Sequence, residues 1–231
     1  MNYRVGIENN NEGYRTIAWA VEHPGCYAYG RDADAALLAL AETIPDYSAW
    51  INSHEPTWLP ANKIELSIED TWGDYDINDS FERVEKDGYA VEPFFLYDWR
   101  PLTATDIERG MKLLSWTRAD LLSVVAGLTN EQRDDQRPKE RWSINGILGH
   151  VGGAEWWYLD RLGLAFPRES VPRDPMERLV KVRMHLVKVL PTLEGSTQVV
   201  GVDGEFWSPR KVLRRAVWHE HDHITHIRKL L

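Results

Sequence analysis

Hydrophobic and polar positions follow two different periods along this chain, and the change falls near residue 100. Before it, Tyr3, Val5 and Ile7 alternate with Arg4, Gly6 and Glu8. Further on, Ile17, Trp19 and Val21 alternate with Ala18 and Ala20, and Ile64, Leu66 and Ile68 alternate with Glu65, Ser67 and Glu69. A period of two belongs to a strand with one buried face. Turn residues at 9–13 and at His23-Pro24-Gly25 separate the first strands. A helix is predicted over 33–44, with Asp32 as N-cap and Pro45 ending or kinking it. The acidic stretch 72–87 has no period and reads as surface loop.

From Thr103 the period becomes helical. Ile107, Met111, Leu114, Arg118, Leu121, Val125 and Leu128 recur at steps of four and three, the seam of a bundle helix with Arg118 as its polar member. A second helix opens at Trp142-Ser143-Ile144 and the last at Trp207-Ser208-Pro209. In both, Ser is a good N-cap, and the Trp before it can staple onto Ile147 or Val212. Pro209 suits the first helical position. A third helix spans about 174–190, with Leu179, Val180, Met184, Leu186, Val187 and Leu190 as apolar positions. The fold class predicted is α+β: a small sheet-plus-helix domain over 1–100, then a four-helix bundle over 103–231.

Charge divides the same way. Residues 1–105 carry 7 Lys+Arg and 19 Asp+Glu, a net −12, whereas the remainder is net +3. Neither part has the dense basic patch that nucleic-acid binding needs, so no nucleic-acid partner is expected. No apolar run reaches the roughly 20 residues of a membrane span. Cys26 is the single cysteine, which excludes an internal disulfide. With no export signal at the N-terminus, a cytoplasmic location is expected.

The candidate chemistry lies in the last helix. Its inward stripe reads Val212, Ala216, His219, His223, His226, Leu230, with imidazoles where apolar side chains normally stand. Burying them is costly unless each ring is hydrogen-bonded or ligates something. Residues four apart stack one turn above another, which lets two rings converge on a cation. His219-Glu220-His221-Asp222-His223 also satisfies the HExxH pattern of zinc proteases, but the downstream third ligand of that pattern has almost no chain left to come from. A third ligand is better sought upstream, at His150 on the inward stripe of the second helix. There Gly146, Gly149, Gly152, Gly153 and Ala154 make room for a helix or a ligand. Three nitrogens leave positions open for water or substrate, as in catalytic zinc sites. Zinc and nickel lead the candidates, with iron, cobalt and manganese also admitted.

His226 reads as a packing residue or an added ligand, and His221 as solvated. Glu155 or Asp222 could hold a ligand's second nitrogen. Arg118 reads as a buried pair or an anion anchor, and the Trp156-Trp157 doublet as packing. His23, His54 and His185 lack partners at ligand spacing, and Cys26 lacks the setting of a nucleophile.

Two resemblances add to this reading. Tyr3–Glu8, Tyr14–Val21, Pro24-Gly25-Cys26-Tyr27-Ala28-Tyr29-Gly30 and the Ala-rich helix after Asp32 resemble the HicB-like antitoxin fold over about residues 1–70. That resemblance implies a protein partner, such as a toxin ribonuclease. The run from Trp142 to His150, Ala154-Glu155-Trp156-Trp157-Tyr158-Leu159, Trp207-Ser208 and His219–His223 resemble the DinB-like metal-binding bundles over about 103–231. That resemblance implies metal ligands at His150, His219 and His223, a small thiol or other small-molecule substrate, and a homodimer. The functions expected are therefore a metal-dependent thiol S-transferase-like or hydrolase-like enzyme, or a non-enzymatic protein-binding module on a metal-stabilised bundle.

Overall fold

In the computed structural model, which describes residues 1–10, 15–59, 63–85 and 87–231, the N-terminal alternation builds a four-stranded sheet. Its strands are β1 (Asn2–Asn10), β2 (Arg15–Ala20), β3 (Tyr27–Gly30) and β4 (Glu65–Gly73), in the order β3-β2-β1-β4. All pairs are antiparallel except β1 with β4. Most of the turn expected at 9–13 lies outside the described residues.

Two expectations about these strands fail for identifiable reasons. β2 is buried on both faces from Thr16 to Ala20, because it is an inner strand covered on both sides. On one side α1 (Ala33–His54) packs against it, with Tyr47 reaching His23 and, through it, Tyr3. On the other, the Phe95 ring comes so close to Gly6 that a Cβ there would stand 2.9 Å from it. On β4 Ile68 is 55% exposed rather than buried. The β1–β4 register slips between Val5 and Gly6, passing from Ile68 to Asp70, and this irregularity breaks the alternation.

α1 begins where expected, with Asp32 accepting from the Ala35 amide at 2.8 Å. It does not stop at Pro45. Ala36, Leu40, Ile44, Tyr47 and Ile51 form one continuous buried stripe, and its burial outweighs the hydrogen bond that proline cannot make. The stretch 72–87 is not plain loop either. β5 (Asp76–Ile77), β6 (Arg83–Val84) and β7 (Tyr89–Ala90) form a second small sheet around the buried Ile77. The Asn78 carboxamide closes the β5–β6 turn by accepting from the amides of Ser80 and Glu82.

In the bundle, α2 (Ala104–Val125), α4 (Ile144–Arg161), α5 (Pro175–Val189) and α6 (Pro209–Leu230) are the long helices, with the short α3 (Asn130–Asp134) between α2 and α4. Thr103, Ser143, Asp174 and Ser208 cap the four long helices by accepting from the amide three residues on. Helix α4 packs against α5 and α6, and α2 against α6. At Gly110 a Cβ would stand 2.7 Å from Leu213, so glycine permits the close approach of α2 and α6. The core brings together Leu121 and Val125 of α2, Ile147, Leu148 and Val151 of α4, Leu179 of α5, and Ile224 and Ile227 of α6.

The inward face of α5 differs from the one read in the sequence. Val180 and Met184 are exposed, and Leu179, Val182, Arg183 and Leu186 are buried. Steps of three and four from Leu179 select that set, so the stripe includes a charged residue.

Between α5 and α6, β8 (Val200–Val202) and β9 (Glu205–Trp207) form a hairpin whose turn residues Asp203 and Gly204 both have positive φ. The compact units are Met1–Arg100 with Val199–Trp207, and Pro101–Gln198 with Ser208–Leu231. The hairpin, read with the bundle from sequence, thus groups with the first unit. There Glu205 accepts from the Glu92 amide and Asp203 from the Tyr89 hydroxyl. Among the described residues, no helix is long and apolar enough to cross a membrane.

Candidate metal centre

His150 lies two turns into α4, and His219 and His223 lie one turn apart on α6. Packing of α4 on α6 turns the three rings toward a common point. His219 Nε2 is 3.0 Å from His150 Nε2 and 3.2 Å from His223 Nε2. One ligand atom from each ring lies within 4.8 Å of the others. Ring planes cross at 63–88°, so edges rather than faces meet. Trp142 stacks on His150 at 4.4 Å and 26°, which fixes the plane of that ring. The guanidinium of Arg141 lies over the outer part of the stack, 4.5 Å from the Trp142 ring.

All three rings are held neutral. Burial pushes each imidazole below its usual value, and the neighbouring rings add to this at His219 and His223. His223 is lowered to about 4, with Asp222 countering part of the shift. At His150 the second cause is Arg141. A neutral ring nitrogen offers one directional group, either an N–H or a lone pair. His219 Nε2 therefore cannot bond well to both of its neighbours. In addition, His223 Nδ1 is buried without a hydrogen-bond partner among the described residues. Three neutral nitrogens aimed at one another fit a cation, which would use all three lone pairs at once.

The HExxH geometry is not that of a protease site. Glu220 is buried beside the triad, yet its carboxylate belongs to a separate ion cluster. It accepts from the Thr117 hydroxyl and from Arg183 at 2.7 Å each, and from Arg118. Arg183 and Arg118 also meet Glu155, at 2.7 and 3.2 Å. Burial opposes ionisation of Glu220, but Arg183 and Arg118 outweigh it and hold the carboxyl below its usual range. Arg118 is thus a buried structural partner, and Glu155 holds arginines instead of a ligand's second nitrogen.

The remaining candidates disperse. His226 turns away to Glu140, 3.1 Å from its carboxylate. His221 is half-buried, not fully solvated. His185 donates to the Leu164 carbonyl, His23 packs between Tyr3 and Tyr47, and His54 meets the Trp50 ring. Trp156 donates to the Phe166 carbonyl, and Trp157 packs on Tyr158. Cys26 is buried, and burial pushes its thiol far up, which removes it as a nucleophile.

Three features escaped the sequence reading. Trp142 stacks on a candidate ligand, a contact hidden by its use as a helix staple. Arg183 completes the ion cluster, and its place on the α5 stripe was the available signal. Arg178 lines a cavity of about 460 Å³ beside His150, together with Trp142, Asn145 and three glycines. Nothing in the local hydropathy marks it.

Residues 113–227 match the sequence profile of the DinB superfamily, so the bundle contains a DinB-like domain. No curated protein matches the chain. Among solved structures, the chain is similar to YfiT from Bacillus subtilis, described as a probable metal-dependent hydrolase with an unusual four-helix bundle topology. Identity is 20% and the TM-score 0.44, over 56% of this chain and 87% of YfiT.

Proposed function

We propose that the bundle is a metal-dependent enzyme in which His150, His219 and His223 hold a divalent cation, zinc or nickel before iron, cobalt or manganese. The reaction joins a small electrophile to water or to a small thiol, and is hydrolase-like or thiol S-transferase-like. The observation that carries this reading is the convergence of three neutral imidazoles, one of which, His150, lines an open cavity. A scaffold metal needs no such access, whereas a reaction does.

A divalent cation supplies Lewis acidity there, lowering the pKa of a bound water or thiol. The protein contributes the rest. Burial keeps the imidazoles deprotonated at neutral pH, so the nitrogens are ready to ligate. Trp142 restrains the His150 ring. The arginines of the ion cluster neutralise Glu220 and withhold it from proton transfer. The test is a screen of zinc- or nickel-loaded protein against ester and amide hydrolysis, and against aryl-halide conjugation with cysteine or glutathione. Turnover that is lost on chelation, restored by metal and absent in His150→Ala supports the reading. Full metal occupancy without turnover in either panel contradicts it.

A further inference from the structure

The cavity beside His150 contains a charge that pairs with no carboxylate among the described residues. Arg178, near the start of α5, donates from Nε to the Pro172 carbonyl at 2.8 Å and from Nη1 to the Gly149 carbonyl at 2.9 Å. These bonds fix the guanidinium plane but bring no negative charge. Among the described residues, no carboxylate pairs with it. Arg118, Arg183 and Arg210 of the same bundle each have one. Nη2 and the second Nη1 hydrogen are left, and the cavity lining contains no acidic side chain.

The floor of the cavity points the same way. A Cβ on Gly152 would stand 3.0 Å from Arg178 Cγ and 3.3 Å from the Leu179 amide, so the approach of α5 explains that glycine. Gly149 and Gly153 have no such reason. A Cβ on either would come no nearer than 3.7 Å to anything, an ordinary contact. Glycine inside a helix is unfavourable relative to alanine, yet here it only widens the cavity next to His150 and Arg178. A volume of about 460 Å³ lies within the usual range for small-molecule sites.

We infer that this cavity binds a small organic carboxylate, with Arg178 taking the carboxylate and the floor at Gly149 and Gly153 carrying the body of the molecule beside the imidazole cluster. One unpaired guanidinium matches a singly charged carboxylate in charge and in planar geometry. This names the substrate class for the proposed metal-dependent reaction and rests on that reading for its chemistry, though not for its binding.

Benzoate, benzamide and inorganic phosphate are titrated calorimetrically into untagged protein, both zinc-loaded and metal-free, with zinc content and melting temperature measured on each sample. Benzoate is expected to bind wild type, and to bind at least tenfold more weakly to Arg178→Gln and to the Gly149→Ala, Gly153→Ala double variant. Those variants should retain their zinc, and the alanine variant should melt no lower than wild type, which separates a filled cavity from a damaged fold. Equal benzoate binding by Arg178→Gln, equal binding of benzamide, stronger binding of phosphate, or no benzoate binding by wild type overturns the inference. If wild type takes up no zinc, the metal reading fails by itself. The cavity is then judged on the metal-free titration, where Arg178-dependent benzoate binding upholds the inference and its absence overturns it.

Discussion

Two buried polar clusters share the bundle, and along α6 they are one residue apart. Glu220 belongs to a cluster of two arginines and two glutamates in which every carboxylate oxygen meets a donor. His219 faces two further imidazoles, with ring nitrogens 3.0 and 3.2 Å apart that cannot all be satisfied by one another. The first cluster sums to zero charge and is complete. The second is neutral ring by ring, and its members cannot all satisfy one another. Burial of polar groups therefore does not mark a site. A binding site shows itself where buried groups of one kind converge and lack partners of the other kind.

This contrast can be broken in several ways, and the largest effect should come from the complete cluster. Glu155→Gln leaves buried guanidinium charge uncompensated and should lower stability by about 3–5 kcal/mol, measured by urea denaturation. Arg183→Met should do the same through Glu155 and Glu220. Folded protein from either variant should still take up metal.

The incomplete cluster should behave in the opposite way. Without metal, His219→Ala should change stability less than Glu155→Gln does, because it removes a neutral ring and leaves no buried charge uncompensated. With zinc at a hundred times its dissociation constant, wild type should gain about 2.7 kcal/mol, and His219→Ala should gain almost none. His226→Ala should keep the full gain, since that ring turns to Glu140.

Smaller still is the effect at Asp106, another satisfied group. Its carboxyl accepts from the Thr103 amide and pairs with Arg210 at 2.7 Å. Burial raises its pKa, but Arg210 and Thr103 outweigh that and hold it below its usual value. A carboxyl depressed in the folded state contributes stability that is complete above its unfolded pKa and is lost as pH falls through the folded one. Asp106→Asn should therefore cost about 1 kcal/mol near neutrality and almost nothing in strong acid, as read from denaturation at a series of pH values.

The bundle was more legible in sequence than the unit before it. Period alone placed α2, and period with the caps Ser143 and Ser208 placed α4 and α6. Spacing paired His219 with His223, and both the inward stripe of α4 and the DinB resemblance led to His150. In the first unit, α1 runs through Pro45 because burial further along the stripe outweighs a local rule. Ile68 left its face because a register slip is a property of two strands and not of one. Arg183 and Arg178 were missed for a related reason. Their meaning depends on what lies opposite, in one case two carboxylates and in the other a cavity.

The central claim, that the three imidazoles hold a metal ion, is tested most directly by elemental analysis of untagged protein beside a folded His219→Ala, His223→Ala variant. About one equivalent of a divalent metal in wild type and none in the variant is the predicted result. Equal metal content in the two, or no uptake of zinc or nickel by folded wild type, would contradict it.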